Sequence, residues 1–211
     1  MNPKWAEENL QTIRTLMERS AIYRRALAPT LIFCGVIGLL SGAFGVWLNC
    51  DDVLVAIGIW LVAALVSVFG SFFIMRLQAI KDSEPVWSAP TRRVVAALFP
   101  PFFVGGFVST VFAIQCFRYG IFGANYILAP LAVILFFSYG CGLHSAGQFM
   151  PRIIRSIGWQ FIAAGCFLSL CLVNDNIFNK SFHLLMGGIF GGLHLAYGIY
   201  LYFTEKKNPA A

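Results

Sequence analysis

The chain has 211 residues, of which 59% are hydrophobic and 11% charged, and its mean hydropathy is +0.77. A soluble globular domain carries charge on about 25% of its residues, so this composition excludes that class and indicates an integral membrane protein. The net charge of +6 does not indicate nucleic-acid binding, because the basic residues lie beside apolar stretches, where anionic lipid already accounts for them.

Residues 1–25 precede the first apolar stretch and are predicted to form an amphipathic helix at the membrane interface. Apolar side chains recur near one face at helical spacing, with the charges mostly on the other face. These apolar residues are Leu10, Ile13, Leu16, Met17 and Ala21. Such a helix anchors and orients the first span on the cytoplasmic leaflet, or it docks a partner protein.

Six uncharged runs follow, at 26–50, 53–75, 94–117, 119–151, 156–174 and 181–204. Each has at least the roughly 18 residues that a helix needs to cross about 30 Å of hydrocarbon. None shows the alternation of apolar and polar residues that is typical of barrel strands. We therefore predict an all-α polytopic membrane protein, in which six transmembrane helices form a bundle of three hairpins.

The connections between the runs predict the orientation. Of the 15 lysines and arginines, 13 lie on the side that holds both termini, and only Arg118 and Lys180 lie on the other. Because cytoplasmic loops carry the excess of basic residues, both termini are expected in the cytoplasm of a bacterial inner (plasma) membrane. The predicted plan is a juxtamembrane helix at 1–25, a transmembrane domain at 26–204 and a short cytoplasmic tail at 205–211.

Two segments carry a resemblance. IRTLMER in the N-terminal segment and FMPRIIRSIGW after the fourth run resemble a set of uncharacterised polytopic bacterial membrane proteins. The resemblance implies a location in a bacterial membrane and brings no known activity.

Between the first two runs, Asp51 and Asp52 are predicted to form a turn and the N-cap of the second helix. Cys50 in this turn and Cys116 near the end of the third run lie close to the same outer surface. An oxidising compartment would permit a disulfide between them if their helices are adjacent. No metal site is predicted from the six cysteines, because they are scattered without a CxxC spacing.

Glycines are the main packing signal within the runs. In lipid, helices attract one another largely through close backbone approach over small residues. The partner helix belongs either to the same chain or to a second copy, so a homo-oligomer or a larger membrane complex is an open alternative. The glycines predicted to pack helices are Gly38, Gly42, Gly140, Gly147, Gly187, Gly188, Gly191, Gly192 and Gly198.

Two of these glycine segments contain histidine, as GLHSAG around His144 and GLHLAYG around His194. The two helices run in the same direction, and counting from their ends places both histidines at a comparable depth. One interpretation is helix packing, in which each imidazole donates to a backbone carbonyl across a glycine contact. The alternative is a b-type haem held by His144 and His194 as axial ligands. His183 is expected to be an interfacial side chain near the outer surface.

The runs contain no Asp or Glu, so an ion-coupled pump is not indicated. No GxSxG motif or intramembrane acid supports a serine nucleophile, and no catalytic residue is predicted. The leading hypothesis is a non-enzymatic accessory, regulatory or assembly component of the membrane. The alternatives are a bis-histidine haem electron-transfer protein and a transporter of a neutral or lipid-like solute.

Overall fold

The computed structural model describes residues 26–48, 52–81, 83, 85–120, 124–172 and 182–207. The amphipathic helix predicted over residues 1–25, the tail beyond residue 207 and Cys50 lie outside this part of the chain. The first three helices are α1 (Ala26–Trp47), α2 (Val53–Lys81) and α3 (Ala89–Arg118). All three are long enough and apolar enough to cross a membrane.

The second half of the bundle contains α4 (Ala124–Ala146), α5 (Arg152–Leu172) and α6. The last helix runs in three consecutive pieces: an α-helical Phe182–Met186, a π-helical turn at Gly187–Gly191 and an α-helical Gly192–Lys207. With α6 there are six candidate membrane spans in the described chain, which contains no strand. The prediction of an all-α polytopic bundle is confirmed.

The first turn of α2 is capped by Asp52, as the sequence predicted. The carboxylate oxygen Oδ1 of Asp52 accepts hydrogen bonds from the backbone N–H groups of Leu54 (2.8 Å) and Val55 (3.2 Å). These N–H groups belong to the first turn of a helix and have no partner within it, so the cap stabilises the helix start. The N-cap prediction is confirmed for Asp52, whereas Asp51 lies outside the described residues.

Successive helices run antiparallel and alternate between two ends of the bundle. The end where α2 stops and α3 and α5 begin is called the basic end, because Lys81, Arg92, Arg93, Arg152 and Arg155 lie there. The other end, called the opposite end, holds the N-terminal cap of α2 and Arg118 at the last turn of α3.

The core lies among α1, α4, α5 and α6. In its centre Phe161 and Ile157 have no exposed surface, and Phe136 and Leu168 are almost completely buried. A second cluster joins α2, α3 and α4 near the opposite end, around Ala56, Cys116 and Ile127. Within the apolar 18-residue stretch of each helix, 44% of α4 is buried inside the protein, compared with only 11% of α3. The outer surface of α3 is therefore left to lipid or to another protein.

Candidate functional site

The contact between α1 and α6 positions the most buried polar groups. A Cβ added to Gly38 would lie 2.8 Å from Gly191 Cα, and one added to Gly42 would lie 2.8 Å from Gly187 Cα. Toward the basic end, a Cβ on Gly198 would lie 2.7 Å from the backbone nitrogen of Ile32. Because these neighbours are mainly backbone atoms, the two helices touch main chain to main chain. We call this contact the α1–α6 seam.

The α4–α5 contact is built in the same way. A Cβ on Gly140 would lie 2.7 Å from the Gly158 carbonyl oxygen, and one on Gly147 would lie 2.8 Å from the Arg155 nitrogen. A Cβ added to Gly158 would in turn lie 2.6 Å from the backbone nitrogen of His144. Close approach of this kind lets α5 press Phe161 against α4, and it fixes the heights of the side chains on both helices.

Two of the predicted packing glycines, Gly188 and Gly192, do not face a neighbouring helix of the described chain. An added Cβ on Gly188 or on Gly192 would meet no atom within 4 Å. Gly187 and Gly191, one residue earlier in each case, face α1 directly. One residue turns a helix by about 100°, so only one of the two overlapping small-xxx-small pairs in GGIFGG can lie in the α1–α6 seam. Gly188 and Gly192 therefore lie outside the α1–α6 seam.

The central polar feature is a hydrogen-bonded pair, Tyr139 on α4 and His194 on α6. The Tyr139 hydroxyl lies 2.7 Å from Nε2 of His194, and Nδ1 of the same ring lies 2.7 Å from the carbonyl oxygen of Phe190. A carbonyl only accepts, so Nδ1 must carry the proton. In the neutral ring Nε2 is then the acceptor, and Tyr139 donates to it. His194, only 1% exposed, is thus fully paired.

Aromatic rings enclose this pair. The His194 ring centroid lies 4.4 Å from that of Phe190 and 5.4 Å from that of Phe161, while Phe102 stacks on Tyr139 at 5.4 Å with nearly parallel rings. The hydrogen bonds therefore lie in an apolar environment, where leaving a donor or an acceptor unpaired is costly. The enclosure favours one arrangement of α4 against α6.

Two further interhelical contacts belong to the same region. The Cys34 sulfur on α1 lies 3.3 Å from the Ser71 hydroxyl on α2, and Gln160 Nε2 on α5 donates to the Tyr197 hydroxyl on α6. Cys34 is level with His194, because a Cβ on the next residue, Gly35, would lie 2.5 Å from the nitrogen of Leu195. We call this set the polar layer; its members are Cys34, Ser71, Tyr139, Gln160, His194 and Tyr197.

The polar layer has the chemistry of helix-to-helix hydrogen bonding. Each of its three contacts joins two different helices, and such bonds in membranes stabilise by about 0.6 kcal/mol on average. A metal ion or haem iron would need the Nε2 lone pair that already accepts the hydrogen bond from the Tyr139 hydroxyl. Within the described residues, no group of three or more His, Cys, Asp or Glu side chains is placed to hold a metal ion.

The structure does not bring His144 to His194. The His144 ring packs edge-on against Trp159 of α5, with centroids 5.3 Å apart, whereas the His194 ring contacts Tyr139, Phe161 and Phe190. Tyr139, which is level with His194, precedes His144 by five residues, or about 7.5 Å along α4. Nδ1 of His144 is buried without a hydrogen-bond partner. A shared haem stays a prediction that this geometry does not favour.

His183, expected at the interface near the outer surface, lies in the first turn of α6 at the opposite end and is buried between helices. It is 7% exposed and lies beside Trp60 of α2, whose indole N–H donates to His183 Nδ1 at 3.2 Å. Its ring also occupies the space beside Gly45, where an added Cβ would overlap it. His183 therefore packs between α1, α2 and the start of α6. The sequence analysis placed His183 by its distance from Lys180 and missed the glycine on α1 that makes room for the ring.

Sequence reasoning also missed Tyr139, Gln160 and Tyr197. The signal was present, because tyrosine hydroxyls buried in an apolar run need a partner and a glutamine amide offers one. Of the cysteines, Cys116 is buried in the α2–α3–α4 cluster. Its pairing with Cys50 stays a prediction, since Cys50 lies outside the described residues.

Comparison with known proteins adds no relative: no protein-family model, no curated protein and no solved structure matches this chain. The resemblance of IRTLMER and FMPRIIRSIGW to polytopic bacterial membrane proteins stays an expectation.

Proposed function

We propose that this chain is a non-enzymatic protein of a bacterial inner membrane, with both termini in the cytoplasm, that acts as an accessory, regulatory or assembly component. The observation that carries the proposal is the pairing inside the polar layer. Tyr139, His194 and the Phe190 carbonyl satisfy one another, and glycine contacts join the helices around them. The interior is thus occupied by groups that hold the bundle together, and the surface is left for binding.

The outer surface of α3 supports an assembly role. Phe99, Phe103 and Phe107 form a stacked ladder with centroids 5.8 and 6.4 Å apart, and each is more than 60% exposed. Aromatic side chains supply much of the contact energy in protein interfaces. A helix with so little burial in its own bundle offers this face to a neighbouring membrane protein, or to a second copy, without disturbing the core.

Site-specific photo-crosslinking tests this role in intact cells. A photoreactive amino acid replaces Phe103, and the matched control carries it at Leu170 on α5, which is 71% exposed. We expect a discrete protein adduct from position 103 and only diffuse lipid adducts from position 170. The absence of a discrete adduct from position 103, and from positions 99 and 107, would count against an assembly role on α3.

The orientation is proposed from charge. Both termini are placed in the cytoplasm because 13 of the 15 lysines and arginines lie on their side of the spans. Fluorescent-protein and alkaline-phosphatase fusions test this, one pair after Lys207 and one pair after Arg118. We expect fluorescence from the first site and phosphatase activity from the second. The same reporter being active at both sites would contradict the proposed threading.

A second candidate function, handling of a lipid-like solute, is supported by a groove of about 470 Å³ between α1 and α2. It is lined by apolar side chains such as Ile37 and Val62, with Ser41 as a polar exception. Gly58 lines it too, and an added Cβ there would meet no atom within 4 Å. Gly58→Trp should therefore fill the groove without disturbing the helices.

Flux of fluorescent lipid analogues into proteoliposomes measures this candidate function. We expect Gly58→Trp to lower the flux and Gly106→Trp to leave it unchanged, because Gly106 on α3 is equally free of neighbours but is not among the groove residues. Flux no greater than in empty vesicles would remove the candidate.

A further inference from the structure

We infer that the turn between α4 and α5 at the basic end is a binding site for the phosphate group of an anionic phospholipid, held by Arg152 and Arg155. This inference does not depend on the function proposed above. It rests on the charges of the first turn of α5, on the geometry of Arg155 and on the apolar side chains that border the turn.

The two arginines lie where cations are electrostatically unfavourable. Arg152 is the first residue of α5 and Arg155 the fourth, and the first turn contains no acidic residue. The N-terminal end of a helix carries a partial positive charge, which favours anions and disfavours cations. Residues three apart also lie on the same helix face, so the two guanidinium groups repel each other. The carbonyl end of α4 compensates the Arg155 guanidinium in part, and an anion bound beside Arg152 would offset the remaining positive charge.

The described chain does not supply that anion. Asp52 is the one carboxylate among the described side chains, and it caps α2 at the opposite end of the bundle. A negative group placed against Arg152 and Arg155 would therefore come from outside this part of the protein. Lipid phosphates lie at this level, at the ends of the spans, and are an external source of negative charge.

Arg155 is already held in place for such a contact. Its Nη2 donates to the Gly147 carbonyl oxygen at 3.3 Å and to Gln148 Oε1 at 2.9 Å, which holds the guanidinium over the end of α4. Arg152 is exposed. Guanidinium groups bind phosphate through paired N–H donors, and an ordered arginine loses less freedom on binding.

The surroundings favour a lipid phosphate over a soluble one. Phe149 in the turn is 51% exposed, and Trp159, two turns into α5, is 58% exposed. Aromatic side chains at this level lie in the headgroup region of the bilayer and contact the upper part of the acyl chains. A phospholipid can satisfy the arginines with its phosphate and cover these rings with its chains, whereas inorganic phosphate satisfies only the arginines.

Native mass spectrometry of the purified protein tests the site, with short-chain phosphatidylglycerol as the probe and phosphatidylcholine as the neutral reference. We expect Arg152→Gln to weaken phosphatidylglycerol binding about fivefold, and Arg152→Gln with Arg155→Gln to weaken it more than tenfold. The matched control is Arg92→Gln with Arg93→Gln, which removes the same charge at the same end. These adjacent residues do not face each other, so this pair should change binding less than threefold.

Three results would overturn the inference. Equal weakening in the two double variants would show a diffuse surface charge instead of a site. Equal affinity for phosphatidylcholine would show that the site does not distinguish an anionic phospholipid from a neutral one. Displacement of the lipid by equimolar inorganic phosphate would assign the site to a soluble anion. Should the Arg155 variant fail to fold, Arg152→Gln alone carries the test, because this exposed side chain does not cap α4.

Discussion

The α1–α6 seam makes a sharp prediction, because the chain contains its own control one residue away. A Cβ added to Gly191 would lie 2.5 Å from the nitrogen of Leu39 and 2.9 Å from the carbonyl oxygen of Gly35. A Cβ added to Gly192 would meet nothing within 4 Å. Gly191→Ala and Gly192→Ala therefore make the same chemical change in the same helix, with opposite consequences for packing.

The magnitude follows from these distances. Non-bonded heavy atoms are most stable about 3.5–4.0 Å apart, so α1 and α6 must separate by roughly 1 Å to admit the Gly191→Ala methyl group. Overpacking of this kind destabilises by about 1–3 kcal/mol. Gly192→Ala instead removes a flexible residue from a helix and stabilises by about 0.5–1 kcal/mol. The free energies of unfolding of the two variants should differ by about 2 kcal/mol or more.

Reversible unfolding in mixed micelles, with a rising mole fraction of sodium dodecyl sulfate and helix content followed by circular dichroism, measures this difference. Gly38→Ala, whose added Cβ would lie 2.8 Å from Gly191 Cα, should behave like Gly191→Ala. The two together should cost less than their sum, since the helices separate only once. If Gly191→Ala proved as stable as Gly192→Ala, the main-chain contact between α1 and α6 would be refuted.

Three further predictions concern the polar layer and the core. Tyr139→Phe leaves the buried Nε2 of His194 without a donor and should destabilise the protein by about 1 kcal/mol in the same assay. The control Tyr126→Phe, at a 68% exposed position, should have no measurable effect. Equal effects of the two substitutions would contradict the Tyr139–His194 hydrogen bond. Phe161→Ala removes a ring with no exposed surface and should cost about 3–5 kcal/mol, against less than 1 kcal/mol for Phe167→Ala, which is 63% exposed on the same helix. Protein purified from haem-sufficient cells should show no Soret band, because both nitrogens of His194 are engaged; a band that disappears in His194→Ala would restore the haem hypothesis.

The membrane class and the number of spans could be read directly from the chain. A bilayer imposes a minimum apolar length and penalises intramembrane charge, and both constraints are local properties of a sequence. The six uncharged runs therefore correspond to the six helices, even where the ends differ, as at the fourth run, predicted over 119–151 and observed as Ala124–Ala146. The N-cap at Asp52 could be read for the same reason, since capping depends on neighbouring residues only.

Which face of a helix meets which neighbour was decided by the tertiary structure alone. In GGIFGG the pairs Gly187 with Gly191 and Gly188 with Gly192 have identical spacing, and only the rotation of α6 against α1 separates the seam from the open side. His144 and His194 have similar glycine surroundings in the sequence, yet His144 packs on Trp159 and His194 accepts a hydrogen bond from Tyr139. Spacing along one helix defines a face, but a contact depends on the relative height and rotation of two helices, which arise only when the whole bundle packs.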